Sequence, residues 1–189
     1  RQVIKYIAAM LMGINLFTAA IEMLSKQALF MIDKKGSLLA TDPFNLTFIT
    51  LIIFCALIYI LLSGKAIEKV GNQVAEYYAL IFFIMCGISI AVTYKTLLML
   101  FLGIEIVSIP LYILTASDKR NLKSNEAALK YFLMGSFSTG IMLLGIAFIY
   151  GGSATGTFHI DQLNLGAGML SGWMALGLVL MLISLSFKV

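Results

Sequence analysis

The sequence predicts an all-α polytopic membrane protein with about six transmembrane helices. Hydrophobic residues fill 61% of its 189 positions and charged residues only 12%, against about 45–50% and ~25% in a soluble domain. Mean hydropathy is +1.01. Apolar runs recur at close to the ~20 residues that a ~30 Å hydrocarbon core requires, with the charges gathered between them. Lipid offers backbone groups no outside partner and no alternating barrel pattern is present, so each run is expected to be a helix.

The runs are placed at 4–24, 44–63, 77–93, 96–116, 127–150 and 168–189. Asp33-Lys34-Lys35-Gly36 and Asp42-Pro43 mark a polar loop, and Pro43 is suited to open the second helix. Residues 65–76 form a charged connector. Only Tyr94 and Lys95 separate the third and fourth runs, which are therefore expected to be antiparallel neighbours. Ser124-Asn125-Glu126 reads as the start of the fifth helix, and FHIDQLNL in the last loop as an interfacial stretch. The whole of 1–189 is read as one transmembrane helical region. It is expected to be an internal piece of a longer protein, because no initiator Met opens it and an uncapped apolar run closes it.

Composition excludes several classes of function. Cys55 and Cys86 lie in different apolar runs and are read as small core hydrophobes; His159 stands in a loop without partners, so no metal or haem site is expected. The net charge of +4 is dispersed among loops, a pattern that sets topology and does not suggest nucleic acid. Arg1, Lys5, Lys65, Lys69, Lys119, Arg120 and Lys123 fall on one side and Lys26, Lys34, Lys35 and Lys95 on the other. The positive-inside rule then places the N-terminus of the chain in the cytoplasm.

Glu105 is the exceptional residue. It lies ~14 Å into its run at 1.5 Å per residue, where a charge costs ~2.5–3.5 kcal/mol on insertion scales and marks a functional site by default. Ser108 and Tyr112 share its helix face, and Pro110 frees the carbonyl of Ile106, so this face reads as the wall of a hydrated cavity. The competing reading is a structural ion pair that only locks helices together. Glu22 lies four residues before Lys26 and is expected to pair with it. Two lysines remain within apolar runs. Lys130, four residues after Glu126, is either an exposed pair at a helix end or an interior group. Lys188 is either a snorkelling lysine or, in a long or interrupted helix, an interior one. Asn15 is read as interhelical glue, the methionines as packing filler, and Gly135, Ser136, Ser138, Thr139 and Gly140 as small residues that let helices approach.

The run LFLGIEIVSIPLYIL, the stretch SNEAALKYFLMG from Ser124 and the stretch GIAFIYG from Gly145 resemble subunit N of bacterial proton-pumping NADH:quinone oxidoreductase (respiratory complex I), one of its antiporter-like membrane subunits. Asp42-Pro43-Phe44 and the Ser184–Val189 tail fit as well. The resemblance implies that Glu105, Lys130 and Lys188 belong to a proton path within a parent subunit of about fourteen helices, of which this chain would hold the second to seventh. It also implies a bacterial inner membrane location, partners among the other membrane subunits, and NADH, FMN, iron–sulfur clusters and quinone held on other subunits. Two competing readings remain: a cation/proton antiporter subunit without redox function, and a structural spacer of the membrane arm.

Overall fold

The fold is that of a computed structural model, which describes residues 2–25, 38–40, 42–63, 74–118, 121–153, 156–163 and 171–188. Among the described residues it has six α-helices: α1 (Gln2–Ser25), α2 (Pro43–Leu62), α3 (Val74–Thr93), α4 (Leu97–Thr115), α5 (Leu122–Gly152) and α6 (Gly172–Lys188), with a short 3₁₀ turn at Ile160–Gln162. The first five are long and apolar enough to cross a membrane, while α6 is apolar but shorter at 17 residues. The expected all-α architecture is the one found. The Glu22–Lys26 pair, the polar loop at 33–36 and most of the connector at 65–76 lie outside the described residues.

Local chemistry sets the helix ends. Asp42 precedes Pro43 at the start of α2, where the missing proline N–H would have no intrahelical partner anyway. Thr96 caps α4 by accepting from the Met99 amide at 3.2 Å. The fifth helix begins earlier than Ser124-Asn125-Glu126 suggests. Asn121 is its N-cap and accepts from the Lys123 amide at 3.0 Å, so polar Lys123–Glu126 form the first turn of a 31-residue helix.

Two apolar clusters divide the bundle. Met12, Ile53, Ile60, Tyr78 and Ile81 bring α1, α2 and α3 together. Leu97, Met142, Ile146, Ile149, Met174 and Met181 join α4, α5 and α6. Glycines carry the closest approaches. A Cβ at Gly103 would lie 2.7 Å from the Ala91 amide nitrogen, and one at Gly87 would lie 2.8 Å from that of Val107, so α3 and α4 are the close antiparallel pair their two-residue link requires. Gly145 and Gly177 do the same for α5 and α6: a Cβ on either would meet the other's carbonyl, at 2.8 and 2.6 Å.

The Tyr94-Lys95 turn is tied on both flanks. Lys95 N–H donates to the Leu38 carbonyl (2.9 Å) and Ala40 N–H to that of Thr93 (2.6 Å). Leu97 N–H donates to the Phe158 carbonyl (3.0 Å) and Ile160 N–H to that of Lys95 (3.2 Å), so the His159 loop is bridged through its backbone to the start of α4. Phe158, Ile160 and Leu163 of the expected interfacial stretch pack onto the α4–α6 cluster.

Two expectations are corrected. Cys55 and Cys86 are exposed on outward helix faces, not in a core. A membrane helix is apolar all round, so an apolar residue carries no inward signal. Asn15 donates to the Leu11 carbonyl at 3.1 Å within its own helix. On an exposed face that carbonyl, one turn back, is its acceptor, and among the described residues no bond from its side chain to another helix is found.

Candidate ion-pair site in the α4–α6 cluster

The site begins with a register. Ser138 of α5 and Ser184 of α6 are both fully buried and joined by hydrogen bonds: Ser138 Oγ to the Ser184 carbonyl at 2.9 Å, and Ser184 Oγ to the Ser138 carbonyl at 2.7 Å. Lys188 follows Ser184 by one turn, and helical side chains lean toward their own N-terminus. Its long stem is thereby directed back to the level of Thr139, next to Ser138, and of Glu105 on α4.

The ammonium ends among three acceptors. Lys188 Nζ lies 2.8 Å from Glu105 Oε1, 3.0 Å from Ser108 Oγ and 3.4 Å from Thr139 Oγ1. A lysine ammonium carries three N–H donors, and each has a partner here. Ser108 gives its own hydrogen to the Ile104 carbonyl (2.7 Å), leaving its oxygen free to accept. Thr139 Oγ1 is 2.7 Å from Glu105 Oε1 and 2.9 Å from the Gly135 carbonyl. The side chains of Lys188 and Glu105 are 14% and 21% exposed, so water and salt screen this pair far less than one on a surface.

A cavity of about 270 Å³ adjoins Lys188, bordered by Ser108, Tyr112, Tyr131 and Gly135. Polar groups and this volume suit water, whose share of liquid volume is about 30 Å³ per molecule. Gly135 makes room for Tyr112, since a Cβ there would collide with its hydroxyl. The Tyr112 ring stands edge-on to Tyr131 at 4.8 Å between centroids.

Of the three residues singled out in the sequence, the structure brings Glu105 and Lys188 together. Lys130 lies elsewhere, paired with Glu126 at 2.5 Å on an exposed face of α5. Ser108 shares the site as its helix spacing suggested, and Tyr112 lines the cavity beside Ser108 and Lys188. Thr139 and Ser184 were missed as members of the site. The signal for Thr139 was a dense group of hydroxyls and glycines, 135–140, in the middle of an otherwise apolar helix. Among the described residues no group of three or more His, Cys, Asp or Glu is placed to hold a metal ion.

Residues 95–189, which contain the entire site, match the family model described as NADH:quinone oxidoreductase/Mrp antiporter, TM. The chain belongs to this family. It is 40% identical over 156 residues to NADH-quinone oxidoreductase subunit N of Flavobacterium johnsoniae, covering 82% of this chain and 33% of that protein. It is 40% identical over 152 residues to the subunit N of Cytophaga hutchinsonii, covering 80% and 33%. The resemblance to subunit N read from the residues is borne out. The chain spans about a third of the length of these curated relatives. Among solved structures, respiratory complex I from Thermus thermophilus with bound aureothin superposes with a TM-score of 0.70 at 26% identity, covering 99% of this chain and 38% of that one. The membrane-bound sulfane sulfur reductase, an archaeal respiratory membrane complex, superposes with a TM-score of 0.81 at 22% identity, covering 98% and 39%, and shares the fold.

Proposed function

We propose that this chain belongs to a proton-translocating, antiporter-like membrane subunit of a bacterial NADH:quinone oxidoreductase, and that Glu105 and Lys188 form a proton-handling pair within it. The single observation that carries this reading is the part-buried contact between Glu105 and Lys188 beside a cavity of water-holding size. Next to Glu105 the ammonium has an opposite charge and three acceptors. Separated from Glu105 inside a membrane, an ammonium loses its counter-charge and gives up its proton more readily. Opening and closing the pair is thereby a way to unload and reload Lys188.

Lys130 is assigned to the same path on its place in the family resemblance, as a station beyond Lys188. The cavity wall at Tyr131, its chain neighbour, supports that order. NADH, FMN, iron–sulfur clusters and quinone are assigned to other subunits, whose redox chemistry drives the movement. The location is the bacterial inner membrane, with the N-terminus of this chain on the cytoplasmic side by its lysine and arginine distribution.

The test uses the full subunit in the assembled complex, reconstituted in vesicles. Glu105→Gln and Lys188→Ala are expected to leave the complex assembled on native electrophoresis and to cut NADH-driven proton uptake by about tenfold or more, the scale of losing an interaction with a charged group. Wild-type proton uptake in either assembled variant would refute the pair.

A further inference from the structure

Thr139 has one hydroxyl hydrogen and two acceptors within reach of the same oxygen position, Glu105 Oε1 at 2.7 Å and the Gly135 carbonyl at 2.9 Å. Exchange between them therefore needs only rotation about the Cβ–Oγ bond, with every heavy atom in place. The oxygen itself is held still. Neighbouring Ser138 is bonded to Ser184 and fully buried, which fixes this turn of α5 against α6.

We propose that Thr139 is the positioning residue that allows Glu105 to be either charged or neutral without rearrangement of the site. The inference rests on the reading of Glu105 and Lys188 as a proton-handling pair. With Glu105 ionised, the carboxylate is the stronger acceptor, because a hydrogen bond to a charged group is roughly twice as strong as a neutral one. The Thr139 hydrogen then points to Glu105, and a lone pair faces Lys188 Nζ at 3.4 Å. With Glu105 protonated, the new carboxyl O–H donates to Thr139 Oγ1, and the Thr139 hydrogen turns to the Gly135 carbonyl. Each state keeps Thr139 bonded both as a donor and as an acceptor. The other two polar groups at the pair cannot do this for Glu105. As an ammonium Lys188 only donates, and Ser108 has given its hydrogen to Ile104 on its own helix.

The chemistry separates hydroxyl from shape. Thr139→Val keeps the branched outline and removes the hydroxyl, so it serves neither state of Glu105. Thr139→Ser keeps the hydroxyl and serves both. In the assembled complex reconstituted in vesicles, Thr139→Val is expected to lower NADH-driven proton uptake by about tenfold, and Thr139→Ser to stay within about twofold of wild type. Infrared difference spectra supply a second readout: the protonated carboxyl band of Glu105, identified by its loss in Glu105→Gln, is expected to move to higher wavenumber in Thr139→Val and to stay in Thr139→Ser. Wild-type uptake in Thr139→Val, or equal losses in both variants, would overturn the inference. If Thr139→Val does not assemble, Thr139→Ala takes its place, and failure of both to assemble makes Thr139 a packing residue and equally overturns it. Glu105→Gln run in parallel keeps the two levels apart. An inactive Glu105→Gln beside a fully active Thr139→Val rejects only the Thr139 inference, whereas a fully active Glu105→Gln rejects the pair itself.

Discussion

Ser138 and Ser184 bond each other twice, each hydroxyl donating to the backbone carbonyl of the other across the α5–α6 seam. Both side chains are completely buried. This clasp lies one turn from Lys188 and one residue from Thr139, so it sets the alignment on which the ion pair depends.

Ser184→Val is therefore expected to destabilise the subunit by about 1–3 kcal/mol, because it takes from the buried Ser138 carbonyl the hydrogen bond that Ser184 Oγ donates. Thermal unfolding of the detergent-solubilised complex measures this. The double variant Ser138→Ala/Ser184→Ala is expected to cost less than the sum of the two single ones, since the two hydroxyls touch at 3.0 Å and either single change already loses that contact. Strict additivity would show that the two serines act independently.

Glycine changes should separate by position. Gly145→Val puts a side chain against the Gly177 carbonyl, whereas a Cβ at Gly140 meets nothing within 4 Å. Gly145→Val is expected to lose the subunit from the membrane, and Gly140→Ala to retain it at wild-type level. Immunoblots of membranes compare the two directly.

Lys188→Arg tests whether the charge at this site must come and go. A guanidinium keeps the attraction to Glu105 but is not deprotonated in proteins. The expected outcome is an assembled complex of near-normal stability that does not translocate protons. Robust proton uptake by Lys188→Arg would mean that the residue works as a fixed charge.

The exposed Glu126–Lys130 pair offers a contrast. An i,i+4 pair of this kind contributes about 0.3–0.5 kcal/mol, so Glu126→Gln is expected to change thermal stability little. Lys130→Ala is expected to lower proton uptake while leaving stability similarly unchanged. Uptake at the wild-type level in Lys130→Ala would remove this residue from the path.

Much of this was legible in the sequence because lipid writes a coarse code. Runs of apolar residues near the thickness of a bilayer give the helix number, and a lone carboxylate inside one of them identifies Glu105 as the centre. The two-residue link at Tyr94-Lys95 fixes α3 and α4 as neighbours. The partner of Glu105 was harder to read, since Lys188 stands 83 positions further along the chain. Its depth alone fits a snorkelling lysine equally well, and only the α5–α6 register decides it. Thr139 and Ser184 were hidden because a hydroxyl in a membrane helix is usually satisfied by the carbonyl one turn back, as Ser89, Thr115 and Ser186 are. Cys55, Cys86 and Asn15 misled for a related reason: in lipid, hydrophobicity does not separate inward faces from outward ones.

The backbone bridges around Tyr94-Lys95 restrict how the pair can part. They anchor the Thr96 end of α4 from two flanking loops, so a swing of this rod would have its pivot there. Glu105 lies about 12 Å along it and Tyr112 about 22 Å at 1.5 Å per residue, so a swing of about 10° carries the first by ~2 Å and the second by ~4 Å. The smaller displacement already stretches the 2.8 Å contact to Lys188 beyond hydrogen-bond reach. The larger one would lift the Tyr112 ring from the Gly135 notch, so a swing of this kind would break the ion pair and widen the adjoining chamber together.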